Sequence, residues 1–186
     1  MSTSLNEADP DRRQTAVRLA AGIFIRFGYK KTSMDEVART VRLSRQGLYL
    51  HFPTKEALFR EVVAYLASAV LDALNRALAL PGLDLEERLH AGFLAMYSGA
   101  FGAHDSEQLQ ELFTSAMEIC PDEVTALDDK IVASLARALE PASALRPPQV
   151  IADTLYSASY GWKHRGIAPE EYSLKMKNAV RLVRAV

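Results

Sequence analysis

The 186-residue chain has one cysteine, Cys120, and only four histidines. A single thiol excludes an intramolecular disulfide and suits a reducing cytoplasm. His51, His90, His104 and His164 are scattered without metal-ligand spacing, and no glycine-rich loop of the phosphate-gripping kind is present. Cys120 has no evident histidine partner for nucleophilic chemistry. No metal, other cofactor or catalytic constellation is therefore expected, and an enzyme is the disfavoured reading. Long apolar runs are missing too. The longest, Val62 to Leu71, is too short to span a bilayer. Met1 to Asp11 is polar and acidic, without the basic and apolar regions of a secretory leader. The expectation is a cytoplasmic protein with no membrane partner.

Strand signals are also absent. No sustained two-residue alternation or hairpin turn occurs, and apolar residues recur instead at spacings of three and four. Start and stop signals divide the chain into about nine helices, an all-α fold. Asp9 can cap a first helix with Pro10 at its first position, Val17, Ala20, Ala21 and Phe24 forming its buried stripe and Gly28 stopping it. Ser33-Met34-Asp35-Glu36 reads as a capping box that opens a short helix to about Val41. Ser44 can cap the next helix, and Thr54 a long one from Lys55 to about Leu80. After the Pro81-Gly82 break, helices are expected from Asp84 to about Gly102 and over 106–118, 121–140, 147–164 and 169–185.

Charge is uneven although the net is only −1. Residues 1–60 hold 11 Lys/Arg against 6 Asp/Glu, and the remainder holds 11 against 17. A basic end on an acidic body suits a nucleic-acid-binding module carried by a second domain. Residues 33–52 supply such a module. Two short amphipathic helices meet at a tight turn, Arg42-Leu43-Ser44, with Val37, Val41, Leu43 and Leu48 placed for a small core and Ala38 at the crossing. That is helix-turn-helix geometry, in which the second helix enters the major groove. Its exposed face would offer Arg45, Gln46 and Gly47, with Tyr49 and His51 nearby. Arginine can bond guanine bidentately, glutamine can do so with adenine, and a glycine lets backbone approach DNA closely. Thr32 and Ser33 at a helix start, Ser44 at the next, and Lys55 suit phosphate.

Phe27-Gly28-Tyr29, Thr32-Ser33-Met34-Asp35-Glu36-Val37-Ala38 and the unbroken run Leu43 to Leu58 resemble the N-terminal domain of TetR-family regulators over about residues 12–62. The resemblance implies phosphate contacts by Thr32, Tyr49 and Lys55 and base contacts by Arg45, Gln46 and their neighbours. It also implies a helical C-terminal domain that dimerises and binds a small-molecule effector. The domains would then be 1–57 for DNA binding and 58–186 for effector binding and dimerisation, and the protein a ligand-responsive repressor on a near-palindromic duplex. One departure is Arg42, where the family usually has glycine. A left-handed arginine costs about 1 kcal/mol, which a phosphate contact could offset in part. The competing reading is a helical interaction protein that has lost DNA binding.

Aromatic and flexible apolar residues in the C-terminal half fit a core as well as a pocket. Phe93, Met96, Tyr97, Phe113, Met117, Tyr160 and Trp162 are the candidate ligand contacts, alongside Phe101 and Tyr156. Two stripes, Ile151-Leu155-Ala158-Trp162 and Tyr172-Met176-Ala179-Val183-Val186, exceed what one core needs and suggest a homodimer face.

Overall fold

A computed structural model describes residues 10–98, 106–140 and 147–184. These residues form nine helices and no strand: α1 (Pro10–Lys31), α2 (Met34–Thr40), α3 (Arg45–His51), α4 (Lys55–Leu78), α5 (Leu85–Ser98), α6 (Ser106–Ile119), α7 (Pro121–Leu139), α8 (Pro148–His164) and α9 (Pro169–Arg184). The all-α expectation holds. Asp9, the expected first cap, lies outside the described residues, as do Phe101, His104 and Val186. Prolines open α7, α8 and α9, where a missing amide hydrogen leaves no intrahelical bond unmade. Asp84 and Glu87 cap each other's amides at 2.9 Å before α5, a reciprocal capping box.

The described chain forms two compact units. The first comprises residues up to Leu66 together with 104–123, so α6 joins α1, α2, α3 and the first part of α4. Its core is aromatic and aliphatic: Ala20, Phe24, Val37, Leu48, Phe52, Leu58, Phe59 and Val62 are fully buried. The expected α1 stripe of Val17, Ala20, Ala21 and Phe24 faces this core. Phe24 meets Phe59 edge-on with ring centres 5.1 Å apart, and Tyr29 tilts against Phe59 at 4.6 Å. Each such burial is worth about 1.5–3 kcal/mol, against about 0–1 for an exposed ion pair. Packing therefore sets the frame of this unit, and its surface charges are left available for other work.

The second unit holds 67–103 and 124–186. Leu74, Leu89, Phe93, Leu135, Leu155, Tyr172 and Met176 fill its centre. Tyr172 is bonded through its hydroxyl to Ser159 at 2.7 Å and stacked on Tyr97 at 4.3 Å. The two stripes expected to form a dimer face need correction here. Leu155, Tyr172 and Met176 are spent on this core, because α5, α8 and α9 close on one another. The apolar side chains left exposed on α8 and α9 are Val150, Tyr160, Leu174 and Leu182. Among the described residues no helix is long and apolar enough to cross a membrane.

Candidate nucleic-acid interface

Helix α2 begins at Ser33, whose hydroxyl accepts the amide of Glu36 at 3.2 Å, and α3 begins at Ser44, which accepts the amide of Gly47 at 2.9 Å. The turn between them closes by two backbone bonds: Leu43 N–H to Ala38 O at 3.0 Å and Arg42 N–H to Arg39 O at 3.3 Å. This 6→1 and 5→2 pair is a Schellman closure with Arg42 at the left-handed position, φ 58°. Arginine thus occupies a place that favours glycine, and the turn forms with it. Val37 and Leu48 are buried between the helices, while Val41 and Leu43 are half-buried.

Of the expected DNA-facing residues, Ser33, Arg42, Ser44, Arg45, Gln46 and Tyr49 are exposed, and Lys55 is half-buried. Arg45 sits at the start of α3, its Nη1 3.2 Å from Asp35 Oδ2 on α2 and its guanidinium 5.7 Å from the Tyr49 ring centre. Lys55 places its ammonium 4.2 Å over the ring of Tyr29. Burial pulls the lysine pKa down from its ordinary value, and the Glu111 carboxylate opposes that shift. Thr54 caps this end of α4 through the amide of Ala57 at 3.0 Å.

Three of the expected contacts are buried instead. Thr32 is 2% exposed and donates its hydroxyl to Gly28 O at 2.7 Å, which fastens the turn ahead of α2. Gly47 is tucked under its own helix cap, and an added Cβ would stand 3.0 Å from Ser44 Oγ. Its missing side chain makes room for the cap, a simpler reason for glycine than close approach to DNA. His51 is buried at the end of α3, and its carbonyl accepts Arg13 Nη1 at 2.8 Å. Arg13 also stacks over Phe52 and pairs with Glu61, so it ties α1 to the end of α3 and to α4. Sequence reasoning passed over Arg13 and Glu111 and gave Asp35 and Tyr29 no partner, because each acts through a residue on another helix.

The candidate ligand contacts do not assemble as a single group. Phe93 and Met96 are core residues of the second unit, with Tyr97 and Trp162 packed against the same cluster. Tyr97 donates its hydroxyl to Ile167 O at 3.2 Å. Tyr160 is exposed on α8. Phe113 and Met117 lie on α6 in the first unit, the former half-buried and the latter exposed. Among the described residues no cluster of His, Cys, Asp or Glu is arranged to hold a metal ion.

A capped helix, a left-handed turn and a second capped helix with a cationic, amide-bearing face define a helix-turn-helix protein. Residues 17–62, the stretch that holds the helix-turn-helix, match the family model of bacterial regulatory proteins, tetR family. The uncharacterized HTH-type transcriptional regulator YhgD of Bacillus subtilis is 31% identical over 86 residues, 46% of this chain and 44% of that protein. The HTH-type transcriptional activator FasR of Mycolicibacterium smegmatis is 29% identical over 109 residues, 58% of this chain and 48% of that one. These matches span less than half the length of the curated relatives. In fold, a TetR-family transcriptional regulator of Pectobacterium atrosepticum aligns with a TM-score of 0.68 at 22% identity, over 98% of this chain and 95% of its own.

Proposed function

We propose that the protein is a sequence-specific DNA-binding transcription regulator that acts as a homodimer in the cytoplasm and has no catalytic activity. The observation that carries this reading is the face of α3, where Arg45 and Gln46 stand exposed on a helix capped and braced from below. Arg45 and Gln46 read bases; Ser33, Arg42, Tyr49 and Lys55 take phosphates; Ser44 holds the helix that carries them. Repression is the mode we propose, although the FasR relative is an activator by name. The DNA-binding role belongs to the first unit, which carries residues 1–57 together with the start of α4 and α6, and effector binding and dimerisation belong to the second unit, with the effector met by the apolar group of Phe93, Met96, Tyr97 and Trp162. A small molecule there lowers DNA affinity to the extent that it prefers a dimer with the two α3 helices wrongly spaced.

Loss of DNA binding is the competing reading, and the departure at Arg42 lends it little, because the turn closes by two backbone bonds with that arginine in place. Footprinting on genomic fragments captured by the protein tests the proposal. Two protected half-sites about one helical turn apart, related by a two-fold axis, are expected. A single unsymmetrical patch would contradict the dimeric reading.

A further inference from the structure

Glu111 on α6 is separated from Tyr29 by 82 residues, yet its carboxylate closes the turn that leads into α2. Gly28 breaks α1 with φ 77° and ψ 169°, and the chain resumes a helical turn at Tyr29. Such a restart leaves amides without intrahelical acceptors. Glu111 accepts from Tyr29 N at 2.7 Å through Oε2 and from Lys30 N at 3.1 Å through Oε1. Ser115, one turn along α6, donates its hydroxyl to Oε1 at 3.0 Å and fixes the carboxylate. A Cβ on residue 28 would collide with this carboxylate, so the glycine serves the approach as well as the left-handed backbone. From the other side Thr32 is bonded back to Gly28 O.

What this clamp holds is next to the proposed phosphate contacts. Ser33, the cap of α2, follows Thr32 directly, and the ring of Tyr29 is the platform under the Lys55 ammonium. We infer that Glu111 is a positioning residue for DNA binding, which acts through the Tyr29 and Lys30 amides to set Ser33 and Lys55. The inference rests on the DNA-binding reading. It also has a distinctive sign. Removing a carboxylate from a protein that binds a polyanion should by charge alone leave affinity unchanged or raise it. Positioning requires the opposite.

The test compares full-length wild type, Glu111→Ala and Glu111→Gln on a duplex selected by the wild type, with amide hydrogen exchange followed in parallel. Glu111→Ala is expected to bind about tenfold more weakly, the scale of a lost pair of charge-assisted bonds. Glu111→Gln keeps one carbonyl acceptor and should recover part of the loss. Exchange should quicken at Tyr29 and Lys30 and stay unchanged in the core of the second unit. Equal or tighter binding by Glu111→Ala beside a wild type that binds overturns the inference and leaves the DNA-binding reading intact. A rise in exchange across the whole protein also overturns it, because the loss then reflects a damaged fold. A wild type that selects no duplex overturns both.

Discussion

Asp35 on the first helix of the motif holds Arg45 at the head of the second, Nη1 to Oδ2 3.2 Å, with both side chains more than half exposed. An ion pair so exposed contributes about 0–1 kcal/mol to folding, so its worth lies in where it leaves the guanidinium. It keeps Arg45 beside Tyr49 at the edge of the face that would meet DNA.

Asp35→Asn should therefore leave thermal stability nearly unchanged while relaxing preference at the base pair Arg45 reads. Affinity for unrelated duplexes should rise, because a carboxylate near the phosphates is gone. Site selection with the variant checks this; an unchanged preferred sequence would assign Asp35 no part in recognition.

Gln46 and Lys55 should separate cleanly. Gln46→Ala is expected to alter preference at one or two base pairs, whereas Lys55→Ala should weaken all sequences alike and flatten the salt slope by about one. Titrations of matched and mismatched duplexes at several salt concentrations distinguish the two. Equal effects on every sequence would show that the residues are wrongly sorted.

Arg42 at φ 58° pays a conformational cost that glycine would not. Arg42→Gly is expected to stabilise the fold by up to about 1 kcal/mol, raising Tm by about 2–4 °C, and to weaken DNA binding through loss of a phosphate contact. Calorimetry and binding measured on the same preparation test both halves. A variant that gains stability with no loss of affinity would remove Arg42 from the interface.

The thiol of Cys120 is buried, and burial, with Glu123 adding to it, pushes its pKa up to about 11. At pH 8 only about one thiol in a thousand is then ionised, and the thiolate is the reactive form. Disulfide reagents should leave native protein unmodified at pH 8 and label it on unfolding. Rapid labelling of the folded protein would contradict this placement.

Much of the fold was legible because it rests on local chemistry. Ser33, Ser44, Thr54 and Asp84 announce helix starts, and the three-and-four spacing of Val17, Ala20, Ala21 and Phe24 announces a buried face. The left-handed turn at Arg42 could be placed even though its residue was the wrong one. Long-range partners were not legible. Nothing in the run around Glu111 says that its carboxylate caps amides at Tyr29 and Lys30, and α6 was for that reason assigned away from the unit it completes. Nor could periodicity tell a core stripe from an interface stripe, so Tyr172 and Met176 were set on the wrong side of α9. Thr32, Gly47 and His51 show the same limit in the site: motif position marked them, and burial decides what they do.

The central claim is that α2 and α3 read DNA as one half of a symmetric pair. Selection of binding sites from random duplex DNA by the purified protein, followed by titration of the best site across salt, tests it most directly. The account predicts a two-fold-symmetric site bound tightly with a steep salt dependence. No enriched sequence, with weak binding indifferent to salt, would contradict it.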